Sequence, residues 1–151
     1  MNKEARYKRL IDQLEPVLQK VNNPVSRMAT VCAYLHHKMQ PVLFWTGYYL
    51  LIEGDLLVGP YQGPAACMKL ARNTGVCWSG IHSGKPVIVE NVHQFEGHIA
   101  CNPKSKSEIV VPLLNENKEV CGVLDVDSDR LSAFDETDAL FLTKINEFIY
   151  R

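Results

Sequence analysis

Cys101 lies in an unusual setting for a cysteine, the polar segment GHIACNPKSKSEIVVP. His98, Lys104 and Lys106 are its neighbours in the chain, and Glu108 opens the apolar run that follows. A packing cysteine normally lies among apolar residues, whereas nearby cations lower the pKa of a thiol and favour its nucleophilic thiolate form. The pattern therefore indicates a reactive thiol close to a carboxylic acid.

Two further acids fall on the same predicted hairpin as Glu108. The segment SEIVVPLLNENKEVCGVLDVDS is typical of two strands around a turn, and Asp125 and Asp127 share one face of the second strand because strand side chains alternate. If Glu116 and Asn117 form a two-residue turn, Glu108 lies directly opposite Asp125. A one-residue slip would break that pairing.

Opposed carboxylates repel each other in a sheet, at a cost of about 0.2–1 kcal/mol. In one interpretation the three acids lie at an open sheet end, solvated and paired with Lys104 or Lys106. In the other they await a ligand cation, or one acid holds a raised pKa and donates a proton. The residues alone leave both interpretations open.

The number and spacing of the five cysteines limit their roles. An odd number without a secretory signal argues against a disulfide framework, and the lack of a C-x-x-C pair or zinc-finger histidine spacing predicts no metal site. Cys32 falls on the buried stripe of a predicted helix, and Cys121 shares the face of Asp125 in the register above. Cys77 stands near the start of a short predicted helix, which makes it a second candidate thiolate. Spacing does not say which cysteines meet.

Helical patterns occupy both ends of the chain. Two amphipathic helices are predicted within residues 1–40, where Pro16 should kink or end the first and Pro41 should stop the second. A last helix is predicted over residues 135–150, with Asp135 as its N-cap.

The sequence pattern between these helices is typical of strands. Residues 41–134 hold several β-branched and aromatic runs, among them GPAACMKLA as a candidate strand, together with the short helix TGVCWSGIHSG and the polar loops. Helices at both ends of a mostly antiparallel sheet define an α+β fold. We expect one such domain over residues 1–151.

Composition excludes several classes of function. The 151 residues carry a net charge of −1, with 46% hydrophobic and 22% charged residues, as in an ordinary globular domain. No basic stripe suggests nucleic-acid binding, and no apolar run approaches the length of a membrane span. The N-terminus lacks the apolar stretch of a signal peptide, so we expect a cytoplasmic protein.

Five segments together resemble the signature of a known family. GPYQGPAAC, GVC, VHQFEGHIAC, SKSEIVVPL and GVLDVDS are similar to those of the free methionine-(R)-sulfoxide reductases, which are small enzymes built on a GAF domain. The resemblance covers residues 42–149 in order and without large gaps. It implies a GAF-like fold, a six-stranded antiparallel sheet flanked by helices, with a small closed pocket for free methionine sulfoxide.

The resemblance also implies roles for individual residues. Cys101 matches the catalytic nucleophile, Cys67 matches the cysteine that resolves the intermediate as a disulfide, and Cys77 matches a third cysteine with a supporting or alternative resolving role. The positions that match the family's substrate pocket are Glu108, Asp125, Asp127, Trp45 and Tyr49.

The implied chemistry is consistent with these residue types. A carboxylic acid protonates the sulfoxide oxygen, a thiolate attacks sulfur, and the resulting sulfenic acid condenses with a second thiol to a disulfide. An external dithiol such as thioredoxin reduces that disulfide, and no metal or organic cofactor is required. The family resemblance further suggests a homodimer.

Two alternatives and two departures from the family pattern bear on this hypothesis. A non-catalytic GAF module that senses a small ligand or a redox change would need no acid cluster, and an inactive relative would not need intact cysteines and acids.

Trp78 stands where relatives commonly have glycine after the GVC cysteine. Phe44 replaces a polar residue. The first departure bears on the role of Cys77 and the second on a hydrogen bond near the pocket.

Overall fold

The computed structural model of the protein describes residues 1–98 and 101–151. Four α-helices, a short 3₁₀-helix and six strands follow one another along these residues. The elements are α1 Lys3–Leu18, α2 Pro24–Lys38, β1 Trp45–Ile52, β2 Asp55–Gln62, β3 Lys69–Leu70, α3 Val76–Ser83, β4 Val87–Val89, the 3₁₀-helix Val92–Gln94, β5 Ser107–Leu114, β6 Val120–Ser128 and α4 Glu136–Asn146.

All six strands form one antiparallel sheet in the order β3-β2-β1-β6-β5-β4. The first and last long hairpins lie side by side because β1 pairs with β6. The predicted α+β class with a six-stranded antiparallel sheet is confirmed. Within the described residues, no helix combines the length and apolar character that crossing a membrane requires.

Three helices cover one face of the sheet and enclose the larger core. Leu10 and Leu14 of α1, Leu35 of α2 and Ile145 of α4 are fully buried there with the sheet residue Leu124. Their spacing of three and four within each helix produces one apolar stripe, which is what the sequence pattern predicted. Cys32 is also fully buried in this core, as expected of a packing thiol.

The ends of the helices test two of the sequence signals. Asp135 caps α4 through its side chain, and Asp138 completes a capping box, as the predicted N-cap requires. Pro16 does not end α1, which continues through it to Leu18. Between the two long hairpins, GPAACMKLA forms only the two-residue strand β3.

The turn of the β5–β6 hairpin corrects the predicted register. Asn115 pairs with Glu119 across a three-residue loop, and Lys118 adopts a left-handed conformation with φ 63°. The side-chain oxygen of Asn115 accepts hydrogen bonds from the backbone N–H groups of Asn117 and Glu119. The two-residue turn was therefore wrong.

In the corrected register, the residue on β6 that pairs with a given β5 residue lies two positions further along the chain. Away from the turn, each side chain therefore stays on the face of the sheet that was predicted for it. Glu108 lies opposite Asp127 rather than Asp125, and Asp125 lies opposite Val110. A bulge at Leu113 and Leu114 adds a further shift near the turn.

The bulge also overturns the predicted position of Cys121. Its side chain packs against the three-helix core, and its Sγ donates to the carbonyl oxygen of Leu113 at 3.5 Å. Cys121 is therefore on the face opposite Asp125.

Candidate active site

The three acids meet because neighbouring strands present them on the face of the sheet that α3 covers. Cross-strand partners form one row of Trp45, Asp127 and Glu108, and the next row contains Gly47 and Asp125. Since alternate residues on a strand share a face, Asp125 and Asp127 point to the same side as Glu108. The sheet thus places three carboxyl groups in one small area.

Gly47 makes room for an aromatic ring beside the acids. A Cβ at this position would overlap the indole of Trp45 and the Cβ of Tyr61. The ring of Trp45 occupies that space and stacks on Tyr49 and Tyr61, with ring centroids 5.8 and 5.2 Å apart. The sheet therefore presents an aromatic surface next to Asp125, the cross-strand partner of Gly47.

One cavity brings these residues together with residues from two loops. Cys77, His98, Cys101 and Ser105 line it along with the acids and the aromatic rings. The predicted site residues that line it are Trp45, Tyr49, Cys77, Cys101, Glu108, Asp125 and Asp127.

A disulfide joins Cys101 to the remaining predicted site residue, Cys67. Their Cα atoms are 5.7 Å apart, within the range of about 7 Å that a disulfide can span. This is the pairing that the family resemblance implied. Cys101 is exposed and Cys67 is partly buried.

Two aromatic side chains fix the loop that carries Cys67. The indole N–H of Trp45 donates to the carbonyl oxygen of Pro64 at 3.1 Å, and the hydroxyl of Tyr49 donates to that of Cys67 at 2.8 Å. Each ring is buried against the sheet while its polar atom holds the loop. These contacts give both residues a positioning effect on Cys67 that the sequence did not indicate.

Glu108 and Asp125 are withdrawn from water and Asp127 is partly buried, which decides between the two interpretations of the sequence. Glu108 and Asp125 are only 5% and 6% exposed. Burial, and after it the charges of Asp125 and Asp127, raises the pKa of Glu108 well above its usual value. Burial followed by the charge of Asp125 likewise raises the pKa of Asp127. Lys104 and Lys106 are exposed, and within the described residues neither forms an ion pair with the acids, so the solvated, lysine-paired arrangement is wrong.

Asp125 differs from its two neighbours in that its pKa is raised, whereas the pKa values of Glu108 and Asp127 are raised well above their usual values. Burial raises its pKa too, but contacts with Glu108 and Cys77 oppose that rise. Its Oδ1 is buried and accepts no hydrogen bond from the N–H and hydroxyl donors of the described residues. A proton carried by Glu108 would satisfy this oxygen, which favours an ionised Asp125 beside a protonated Glu108.

Cys77 is not the thiolate that its local sequence suggested. It lies in the first turn of α3, but burial and the charges of Asp125 and Glu108 raise its pKa well above the usual value. The helix terminus cannot offset this effect, because it supplies only a partial charge. Cys77 is therefore a neutral thiol beside the acids.

His98 and Ser105 are site residues that sequence reasoning did not select. His98 Nε2 lies 3.7 Å from Glu108 Oε2, and burial followed by the charge of His93 lowers the His98 pKa, so this is a polar contact of a neutral ring. The Ser105 hydroxyl donates to Asp127 Oδ1 at 3.0 Å. His98 was visible in the sequence only as a neighbour of Cys101, and no spacing rule marks Ser105.

The two departures from the family pattern lie in different places. Phe44 lines the cavity, where it adds apolar surface. Trp78 is buried in α3 and stacks on His82, with ring centroids 5.6 Å apart. Its indole is not part of the cavity lining, so Cys77 keeps its place beside Asp125.

Comparison with known proteins points in the same direction as this geometry. Residues 27–146 match the family model described as GAF domain. The chain is 45% identical to GAF domain-containing protein A of Dictyostelium discoideum, covering 95% of this chain and 90% of the relative. It is 35% identical to the free methionine-R-sulfoxide reductase of Escherichia coli, covering 91% of this chain and 82% of the relative.

The structure is also similar to a solved one that contains a substrate. The free methionine-R-sulfoxide reductase of Neisseria meningitidis, in complex with its substrate, superposes with a TM-score of 0.93 at 37% sequence identity. The match covers 99% of this chain and 89% of that one.

Proposed function

The chain belongs to the GAF domain family, in the group that contains the free methionine-R-sulfoxide reductases, and from this premise we propose that it reduces free L-methionine (R)-sulfoxide to methionine. The observation that carries the proposal is the disulfide between Cys67 and Cys101 at a pocket with three acids, of which Glu108 and Asp125 are buried. A binding module would not need a thiol pair joined at the mouth of such an acidic pocket.

The pocket supports recognition of a free amino acid. The α-ammonium of free methionine sulfoxide carries a charge that a peptide nitrogen lacks, and the ionised Asp125 would pair with it. A peptide-bound substrate would leave this buried acid unpaired, which disfavours binding strongly. Trp45 and Tyr49 offer an apolar surface for the methyl end.

The first chemical step uses Cys101 and a protonated acid. Proton transfer to the sulfoxide oxygen makes the sulfur electrophilic, and Glu108 is the proposed donor because burial keeps it protonated. The Cys101 thiolate attacks sulfur and forms an S–S bond to the substrate. The protonated oxygen then passes from the substrate sulfur to Cys101 Sγ, as the substrate S–O bond and the new S–S bond both break. Methionine leaves, with Cys101 oxidised to a sulfenic acid.

The second step restores the enzyme. The Cys67 thiol attacks the sulfenic sulfur of Cys101, which forms the disulfide and releases water. A cytoplasmic dithiol protein such as thioredoxin then reduces the disulfide and becomes oxidised itself. The reaction requires no metal or organic cofactor, and a homodimer is compatible with a pocket built from one chain.

Cys77 has a supporting role in this scheme. Its protonated thiol lies beside Asp125 and donates rather than reacts. This contact helps to keep Asp125 ionised while Glu108 holds the proton. Sulfur attack by Cys77 itself is disfavoured because its thiolate is suppressed.

The deciding experiment supplies purified protein with each epimer of free methionine sulfoxide and dithiothreitol, and measures methionine. We expect turnover of the R epimer, little of the S epimer, and none with Cys101→Ser. Cys121→Ser is the matched control and should retain full activity, because Cys121 lies on the opposite face of the sheet. Absence of R-epimer turnover would overturn the proposal and favour a ligand-binding module.

A further inference from the structure

We propose that Cys77, Glu108 and Asp125 form a binding site for one thiophilic divalent cation such as Zn²⁺, which would block the pocket when it binds. The thiol and the two carboxyl groups come from α3, β5 and β6, and their ligand atoms all lie within 4.8 Å of one another. This inference goes beyond the proposed reductase activity, in which no metal takes part.

The spacing suits a single small cation. Zinc binds thiolate sulfur at about 2.3 Å and carboxylate oxygen at about 2.0–2.2 Å, so two ligands of one tetrahedral ion lie about 3–4 Å apart. Small side-chain rotations would bring atoms that are within 4.8 Å to these separations. The cavity leaves room for a fourth ligand, such as water.

A second feature points to a missing positive partner. Asp125 is 94% buried, as its exposure of 6% shows, and its Oδ1 accepts no hydrogen bond from the N–H and hydroxyl donors of the described residues. Asp125 is among the residues that line the cavity. An unpaired buried carboxylate oxygen is costly, and either a proton or a cation at this place would remove the cost.

The ligand types select among cations. Mg²⁺ and Ca²⁺ prefer all-oxygen sites, whereas one thiolate and two carboxylates favour Zn²⁺ or its softer relative Cd²⁺. Binding would therefore displace the protons of Cys77 and Glu108 into solvent. Such an ion would occupy the place where the substrate ammonium is proposed to bind. The cation would therefore act as an inhibitor that competes with the substrate.

The test uses the fully oxidised protein, in which Cys67 and Cys101 are joined and cannot bind metal as thiols. Calorimetric titration with zinc chloride alone should show one equivalent bound, and cadmium chloride should produce the near-ultraviolet absorption of a metal–thiolate bond. Cys77→Ser should abolish the absorption and weaken zinc binding by at least about tenfold. Cys121→Ser is the control and should change neither result.

Asp125→Asn provides a second variant in case Cys77→Ser does not fold, as judged by circular dichroism. It should also weaken zinc binding by at least about tenfold. Zinc affinity that is unchanged in both variants, or no zinc binding in the unmodified protein, would overturn the inference. Because the oxidised protein does not turn over, this result is independent of whether the chain reduces methionine sulfoxide.

Discussion

At the scale of residues, burial of the acids determines the chemistry of the pocket. A carboxylic acid can donate a proton near neutral pH only if its environment disfavours the charged form. Glu108 meets this condition because it is buried beside two other acids. The free energy of unfolding should therefore depend on pH through Glu108.

Glu108→Gln should stabilise the oxidised protein by an amount that grows as pH rises from about 5 to about 8. The folded protein holds the Glu108 proton to a higher pH than the unfolded chain does, so the native state binds more protons and loses stability as pH rises through this window. Glutamine removes that loss, and the difference at the upper end should be on the order of 1 kcal/mol. Thermal unfolding of both proteins across the pH range measures it.

Glu90→Gln is the control for this comparison because Glu90 is exposed at the end of β4. Its effect should not vary over the same pH range. A Glu108→Gln difference that is constant with pH would mean that Glu108 is ionised in the folded protein at both extremes.

Replacing one cysteine of the disulfide should separate the two steps of the reaction. In Cys67→Ser, Cys101 can still attack the sulfoxide, but no thiol from position 67 can resolve the sulfenic acid. We expect one methionine per subunit without reductant, a sulfenic acid that dimedone traps, and no sustained turnover with thioredoxin. Mass spectrometry of the protein after one turnover measures the adduct.

A disulfide between Cys77 and Cys101 would contradict this prediction. If the Cys67→Ser protein instead forms a disulfide between Cys77 and Cys101, then Cys77 is an alternative resolving residue. The buried, protonated state of Cys77 leads us to expect that this bond does not form.

At the scale of elements, α3 is packed so closely on the sheet that it fixes the position of Cys77. A Cβ on Gly80 would lie 2.7 Å from Cγ1 of Val110, which is too short for a carbon contact. Val110 is fully buried and faces Asp125 across the hairpin. The distance of α3 from the sheet and the position of the acids therefore depend on each other.

Gly80→Ala should destabilise the protein by about 1–3 kcal/mol through overpacking, although alanine is the better helix former. Urea denaturation of the oxidised protein measures the change. Ser79→Ala is the matched control, since it also introduces alanine into α3 but removes atoms rather than adding them. Equal or greater stability of Gly80→Ala would show that α3 can move away from the sheet without cost.

The hairpin shows how far sequence reasoning reaches at this scale. Alternation correctly assigned Glu108, Asp125 and Asp127 to one face, because a shift of two positions leaves the faces unchanged. The register itself was wrong because a three-residue loop of this kind normally has glycine in its left-handed position, where this chain has Lys118. Gly122, which pairs with Leu113 next to the bulge, was an available signal, because glycine inside a strand often marks a bulge.

Burial was the other quantity that local sequence could not supply. The pKa of Cys77 and of the acids depends on α3 and the loops that cover them, and those contacts join residues far apart in the chain. The pairing of Cys67 with Cys101 came from the family resemblance, since spacing did not exclude Cys77 as a partner. Helices were better predicted because their apolar stripes and caps are local.

At the scale of the whole molecule, the two faces of the sheet have different roles, one in stability and one in the pocket. Its helical face carries the larger core, while the opposite face carries the pocket under α3. The first face can therefore be altered to test stability without direct contact with the site residues. Arg27 on α2 is the most informative position for this purpose, because it is a buried cation that bonds to two distant parts of the chain.

Arg27 is 7% exposed and joins the α1–α2 connection to the C-terminal segment. Its Nε donates to the carbonyl oxygens of Leu18 and Val21, and one Nη donates to those of Phe148 and Arg151, among other bonds. Lysine would retain the charge but could not reach both sets of carbonyl groups, since it lacks the planar fork of the guanidinium.

Arg27→Lys should therefore lower the free energy of unfolding by about 2–4 kcal/mol, because several buried carbonyl groups lose a charged donor. Arg9→Lys, at an exposed position of α1, is the control and should change stability little. Chemical denaturation monitored by tryptophan fluorescence and by circular dichroism measures both. If the two probes then report separate transitions, Arg27 also couples the helical layer to the sheet. An unchanged midpoint would show that these hydrogen bonds contribute nothing net to the fold.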